Sequence, residues 1–367
     1  MSPYKFRYYW DRGKGLLGEW RTANVHTHAS ARRAADAYFR NVPSERHVVF
    51  LVSGSNFVNG GWISLFSIAK ESKSFSGIHG AGVTVCTALW QVPVRRYTKF
   101  DNDFELFPFR RFLKAIGPRD SVMVHIPEFR VREYASDIAP ALVRTGASWR
   151  FNILLQNIDF APSSEDVARL KAVGPVSATT AHRVYASDET AARLGCPVRF
   201  LSYWLSPEEF TRTPFEAKDE LLVISPDHQP YKAEVLARIR SEFPLLRIVE
   251  IKNMTYRQYR EVIQRAKYAL TFGEGLDGYF VEPIFSGGIG LAFYNDRFFT
   301  PDFVGLPGVL DDTSDRADTV ISFMKRTNRP QEFCAAADAQ FAMLAKKYAR
   351  AQYLGNLKAF YEEFFPA

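Results

Sequence analysis

Short uninterrupted apolar runs alternate with longer amphipathic stretches along nearly the whole chain. That rhythm predicts an α/β protein with parallel sheets, because strands covered by helices on both faces read as solid apolar blocks. Val48-Val49-Phe50-Leu51-Val52 is the clearest block, and the loop Ser53-Gly54-Ser55-Asn56-Phe57-Val58-Asn59-Gly60-Gly61 follows it. A helix is expected next, from about Trp62 to Lys70. Further strands are expected at Val83–Ala88, Ser121–Ile126, Phe151–Gln156 and Val198–Leu201. Helices are expected between them, most clearly over Arg130–Arg144 and Arg183–Leu194.

The prolines and charges from Ser206 through Pro214 break the rhythm and predict a linker. A second series then begins, with strands at Leu221–Ser225, Arg247–Ile251, Tyr268–Phe272 and Gly290–Tyr294. Helices are expected over Tyr231–Phe243 and Tyr256–Ala266. The last part, from about Gln331 to Phe365, is helical in composition. The chain thus divides into residues 1–210, residues 211–348, and a terminal helix over 349–367 that returns to the first domain. Two open parallel sheets on either side of a linker would leave a cleft at the carboxyl ends of their strands, where ligands of such sheets bind.

Composition narrows the class. The 367 residues are 47% hydrophobic and 24% charged, the balance of a globular chain of about two domains. Three widely spaced cysteines, Cys86, Cys196 and Cys334, form neither a disulfide framework nor a metal-ligand pattern. The first residues lack the apolar core of a secretion signal, and no apolar run is long enough to span a bilayer, so a cytoplasmic protein is expected. The formal charge is +7, and residues 1–40 hold eight Lys or Arg against three acids, interleaved with Tyr4, Phe6, Tyr8, Tyr9, Trp10 and Trp20. Such a segment suits peripheral contact with an anionic membrane at its inner face, or simple packing of its aromatics on the first domain. No nucleic-acid motif accompanies the charge, so nucleic acid is not an expected partner. The pair His26 and His28 lacks a third ligand in sequence, and no metal is expected.

The strongest chemical signal is the run Gly273-Glu274-Gly275-Leu276-Asp277-Gly278-Tyr279-Phe280-Val281-Glu282-Pro283-Ile284-Phe285-Ser286-Gly287-Gly288, placed after an apolar strand. A strand ending in a Gly-rich turn that opens a helix offers free N–H groups and the positive helix end to an anion. Two carboxylates separated by seven residues add acceptors for hydroxyls. Together they suit a nucleotide sugar. Two solvated acids on a loop and helix would give the same spacing by chance.

This run, with the preceding strand and the Gly pair after it, resembles the E-x7-E motif of retaining glycosyltransferases of the GT-B fold, family 4 in particular. The family's usual run is Glu-Gly-Phe-Gly-Leu-Pro-x-x-Glu-Ala-x-x-x-Gly. Glu274-Gly275, Glu282 and Gly287-Gly288 match it, while Asp277-Gly278-Tyr279-Phe280 fills the middle differently. Asn59-Gly60-Gly61 is similar to the family's Gly-Gly loop after the first strand. Ala178-Thr179-Thr180 through Phe210 is similar to the close of its first domain.

The resemblance implies an α/β GT-B protein of two Rossmann-like domains with the cleft between them. It implies metal-independent transfer of a sugar, without a cofactor, from a nucleotide sugar to a glycan or lipid-linked acceptor in bacterial surface polysaccharide assembly. Glu274 would lie at the donor sugar and Glu282 at the ribose hydroxyls. Gly275, Leu276, Asp277, Gly278 and Tyr279 would line the donor, with Gly60 and Gly61 at its phosphate. Lys232 would take the family's phosphate-binding Lys role, or is a solvated helix residue. The Arg that the family places just before it is missing, and Asp227 and His228 occupy that neighbourhood. His125 is a candidate catalytic group at the end of its strand, although a lone His there is more often structural. Glu128, Asn157 and Asp159 are acceptor-side candidates, and a turn explains the last two equally well. Two other readings stay open: a nucleotide-sugar epimerase of the same fold, and a non-catalytic binding protein.

Overall fold

The computed structural model describes residues 17–41, 45–87, 93–202 and 205–367. Tyr4, Phe6, Tyr8, Tyr9 and Trp10 of the basic, aromatic front segment lie outside the described residues, as does Ala88 at the end of an expected strand.

The chain forms two compact units. The first takes the described residues up to Ala181, with Tyr185–Ser202 and Leu354–Ala367; the second takes His182–Val184 and Tyr203–Tyr353. The closing helix Arg350–Phe364 begins in the range of the second and ends in that of the first.

The first unit is built on seven parallel strands: β1 (Arg46–Val52), β2 (Gly82–Thr87), β3 (Leu106–Pro108), β4 (Ser121–Pro127), β5 (Ser148–Leu155), β6 (Val176–Thr180) and β7 (Val198–Phe200), in the order β3-β2-β1-β4-β5-β6-β7. The order reverses between β1 and β4, which makes that pair the switch point of a doubly wound sheet. Val49, Leu51, Val122, Val124, Ile126, Phe151 and Ile153 form one continuous core with Phe109, Phe112, Tyr134 and Trp149.

The second unit holds five parallel strands: β8 (Asp219–Ile224), β9 (Arg247–Glu250), β10 (Ala266–Leu270), β11 (Ile289–Phe293) and β12 (Val309–Leu310), in the order β12-β11-β10-β8-β9. Its switch point lies between β8 and β10. Successive side chains of β8 alternate between two cores, Leu222 and Ile224 in one and Leu221 and Val223 in the other. A strand covered on both faces must read that way.

Helix starts follow from capping chemistry. Asn59 accepts from the Trp62 N–H at 2.8 Å and opens Gly60–Ser74, and Thr255 with Gln258 forms a capping box for Tyr256–Arg265. The helix expected over Arg130–Arg144 is broken: a 3-10 turn, three α residues, the π segment Tyr134–Ile138 and then Ala139–Val143. Pro140 has no N–H and its ring crowds the carbonyl four residues back, so the ladder widens just before it. Arg183–Leu194 likewise holds only a 3-10 turn at Arg183–Tyr185 and an α-helix at Asp188–Leu194, which Ser187 caps. The strand expected at Tyr268–Phe272 runs instead over Ala266–Leu270, leaving Thr271 and Phe272 in the turn that follows. Among the described residues no helix is long and apolar enough to cross a membrane.

Close backbone approaches position the second unit's key helix, Gly278–Phe285. A Cβ on Gly290 in β11 would lie 2.7 Å from the Phe280 carbonyl oxygen of that helix, so only glycine allows this packing. Nearby, Gly308 has φ +84°, and a Cβ there would meet the Gly290 carbonyl oxygen at 2.2 Å. Gly308→Ala is expected to cost about 3 kcal/mol, combining left-handed strain with overpacking. A denaturant midpoint indistinguishable from wild type would contradict this packing.

Candidate functional site

Loops at the carboxyl ends of β8 and β10 flank the switch point of the second unit, where ligands of open parallel sheets bind. The turn after β10 carries Glu274. Its φ of +91° at Gly275, with a would-be Cβ only 2.5 Å from the Phe299 ring, makes glycine obligatory there. Asp277 caps the next helix. It accepts from the Phe280 N–H at 3.1 Å and from the Thr271 hydroxyl at 3.1 Å. Glu282 opens the second turn of that helix and is 3% exposed. Gly278 leaves room for it, since a Cβ there would lie 3.0 Å from its Oε1.

Glu274 and Glu282 occupy different environments. The imidazole of His182, just after β6, donates from Nε2 to Glu274 Oε2 at 3.2 Å, and the His182 ring packs edge-on against Phe298. Glu274 is half-buried. Glu282 Oε2 accepts from the Tyr256 hydroxyl at 3.0 Å, and the neighbouring Tyr259 hydroxyl donates to the Gly278 carbonyl at 3.1 Å.

Burial pushes the Glu282 carboxyl up to about 8. Burial, then the charges of Asp227 and Glu274, push Asp277 up to about 8 as well. Both groups are therefore largely protonated at neutral pH in the free protein, and a protonated carboxyl donates a hydrogen bond as well as accepting one. Their ordinary values lie near 4, so between pH 4 and 8 the unfolded chain has lost protons that the folded chain keeps. Stability must then fall as pH rises across that window and level off above it. In Asp277→Asn, which keeps an acceptor for Phe280 and Thr271, the fall in melting temperature from pH 4 to pH 8 is expected to be shallower. An unchanged slope would contradict the assignment.

Lys232 opens the helix Lys232–Glu242 but faces inward. Its Nζ donates to the carbonyls of Ser225 at 2.7 Å and Asp227 at 3.0 Å, and to Glu250 Oε1 at 2.8 Å. All three ammonium donors are committed to ordering the loop after β8. Asp227, in the loop after β8, approaches the motif turn: a Cβ on Gly273 would lie 2.7 Å from Asp227 Oδ2. Leu276 and Tyr279 are half-buried beside these groups.

In the first unit the structure ties together the loops after β1, β4 and β5. Gln156 Nε2 donates to the Gly61 carbonyl at 2.9 Å, and a Cβ on Gly61 would lie 2.3 Å from Gln156 Oε1. Glu128, 5% exposed, accepts from the Asn157 N–H at 3.1 Å. Asn157 in turn accepts from the Asp159 N–H at 2.8 Å, a local Asx turn, and Asp159 is exposed. Gly60 and Gly61 begin the helix after β1, with open space around Gly60.

His125 does not join this group. It is 0% exposed, stacked on Phe50 at 4.3 Å, and hydrogen-bonded through Nδ1 to Asn152 at 3.1 Å. Burial pushes it down to about 3, so it is a neutral core residue rather than a catalytic one. The strand runs two residues past it, to Pro127, and Phe50 of β1 and Asn152 of β5 flank the ring.

Sequence reasoning passed over His182, Tyr256 and Asp227 as site residues. His182 stands two residues after β6, in the short piece His182–Val184 that belongs to the second unit, and nothing in sequence signals that assignment. Nothing in sequence signals Tyr256, which reaches Glu282 from the neighbouring helix.

Neither a model of a known protein family nor a curated protein sequence matches the chain. Solved structures match it through the fold. HepE of Anabaena, in complex with UDP, aligns at 10% identity and a TM-score of 0.55 over 86% of this chain and 99% of its own. Sucrose-phosphate synthase of Thermosynechococcus elongatus aligns at 8% identity and 0.56, over 87% and 99%. The E. coli trehalose-6-phosphate protein bound with UDP-2-fluoro glucose aligns at 8% and 0.54, over 88% and 100%. These likenesses, with two parallel-sheet units, show that the chain has the GT-B fold.

Proposed function

We propose that this protein is a retaining, metal-independent glycosyltransferase that moves a sugar from a nucleotide-sugar donor to a glycan or glycolipid acceptor. One observation carries the reading: a single strand-turn-helix at the switch point of the second unit presents Glu274 in its turn and Glu282 in its helix, the first held by His182 and the second by Tyr256. The neighbours' bound UDP and UDP-2-fluoro glucose favour a uridine nucleotide as donor.

In this reading Glu282 meets the ribose hydroxyls. The N–H groups opening Gly278–Phe285 and the protonated Asp277 carboxyl meet donor oxygens. The bond from the anomeric carbon to the phosphate oxygen breaks, and positive charge grows on the sugar. Glu274, oriented by His182, stabilises that charge. The acceptor oxygen bonds to the same face, and its proton leaves with the phosphate. The acceptor is taken by the first unit, through Glu128, Asn157 and Asp159. Trp20, 62% exposed, and Leu17, 66% exposed, stand beside Arg21, which suits a lipid-linked acceptor at an anionic membrane face in surface polysaccharide assembly.

Product analysis tests the reading. Incubation with a panel of uridine, guanosine and adenosine diphosphate sugars should release nucleoside diphosphate and yield a sugar of the donor's anomeric configuration by proton NMR. Conversion of the donor to its epimer without release would establish the epimerase instead. Inversion at the anomeric carbon would refute the retaining assignment.

A further inference from the structure

We propose that the first unit carries a second, preformed binding site, for a sugar bearing a phosphate. It is a cavity of about 550 Å³ lined by Glu19, Asn24, Arg95, Arg96, Thr98 and Glu105. That volume suits a small ligand. One wall is the helical residues 17–21 with the turn after them, and the other is residues 95–105.

The walls are stitched together by their own hydrogen bonds. Val25 bridges Val94, the Arg95 N–H donates to the Asn24 carbonyl at 2.8 Å, and Asn24 Nδ2 donates to the Arg96 carbonyl at 3.0 Å. Asn56, in the loop that leads from β1 to Gly60 and Gly61, donates to Glu19 Oε1 at 2.6 Å and to the Thr98 hydroxyl at 2.7 Å, and accepts from the Thr98 N–H at 3.0 Å. A site ordered in advance spends little of its binding energy on organising itself.

The charges are committed unevenly. Both oxygens of Glu19 are engaged, Oε1 by Asn56 and Oε2 by Asn24 at 2.8 Å. Glu105 Oε1 lies 3.5 Å from Nε2 of the buried His26. Among the described residues no carboxylate pairs with Arg95 or Arg96, although both line the same cavity as the two glutamates. Two uncommitted guanidinium forks match the oxygens of a phosphate.

The same cavity offers the Thr98 hydroxyl, the Asn24 amide oxygen and the second carboxylate oxygen of Glu105 to hydroxyls. Formal charge over the four charged groups cancels, so an anion is held by direct contact with the two arginines rather than by a net positive field. The cavity selects a ligand that combines one anionic group with several hydroxyls. Binding at this cavity does not rest on the function proposed above.

The test is calorimetry on the full chain with glucose 6-phosphate, inorganic phosphate and glucose as probes. Wild type should bind glucose 6-phosphate saturably, and glucose about tenfold or more weakly, the loss expected when charge-assisted hydrogen bonds are absent. Arg95→Gln with Arg96→Gln, both on exposed side chains, should lose glucose 6-phosphate affinity by about tenfold or more while UDP affinity stays as in wild type. Equal affinity of variant and wild type, or of glucose and glucose 6-phosphate, would overturn the proposal. So would the absence of saturable binding by either phosphate probe, or Arg95- and Arg96-dependent pelleting with phosphatidylserine vesicles without sugar phosphate binding. Loss of UDP binding in wild type would count against the second unit's role and leave this site standing.

Discussion

Glu274→Gln should lower sugar transfer by about 100-fold or more while leaving nucleotide affinity within a few-fold, because the substitution removes charge but not shape. The expectation follows from placement. Glu274 sits on a turn that Gly275 and Phe299 fix rigidly, and His182 orients its carboxylate from the side. A carboxylate held this way stabilises developing positive charge without first having to reorganise. The nucleotide is met instead by Glu282 and the start of the next helix, so its binding should survive. His182→Ala should fall between wild type and Glu274→Gln, since it loosens the carboxylate without removing it. Measuring kcat and the dissociation constant of the nucleoside diphosphate separately checks both halves. Full transfer activity in Glu274→Gln would remove it from the chemistry.

Tyr361→Ala should destabilise the first unit by about 3–5 kcal/mol, the usual cost of truncating a fully buried aromatic. Tyr361 stands near the end of the closing helix and is 0% exposed. Its hydroxyl lies 2.6 Å from Ser72 Oγ and 3.3 Å from His125 Nε2, and its ring packs on His79 at 4.7 Å. Arg46 adds a second tie by donating to the Pro366 carbonyl at 2.5 Å, and its guanidinium lies over the Phe365 ring at 4.3 Å. Tyr361→Phe keeps the ring and loses the hydroxyl, so about 1–2 kcal/mol is expected. Guanidinium unfolding of the three proteins gives the comparison. Equal midpoints for wild type and Tyr361→Ala would mean that the closing helix does not support this core.

The apolar rhythm located the strands well because those strands are buried on both faces, and burial on both faces leaves an unbroken apolar run. It failed where the backbone departs from one period. Pro140 splits a helix whose side-chain pattern continues on both sides of it, and β3 and β12 are too short to show any period. The motif turn was legible because the chemistry is local: strand, glycine turn, cap and two carboxylates lie within one short run. His125 misled for a related reason. It follows an apolar run as a ligand-facing residue would, yet its partners Phe50, Asn152 and Tyr361 come from β1, β5 and the last helix, which no local pattern reveals. His182 and Tyr256 were missed on the same ground, since each meets its glutamate only across the fold. Lys232 shows the opposite limit: its place at a helix start was correctly expected, but its three committed donors are visible only in three dimensions.

Calorimetric titration of the wild-type chain with UDP, GDP and ADP, each alone and as the glucose conjugate, probes the central claim most directly. Saturable binding of one nucleotide family, weakened in Glu282→Ala by about tenfold or more, is the result this account requires. Absence of binding by all of them to the folded chain would contradict it.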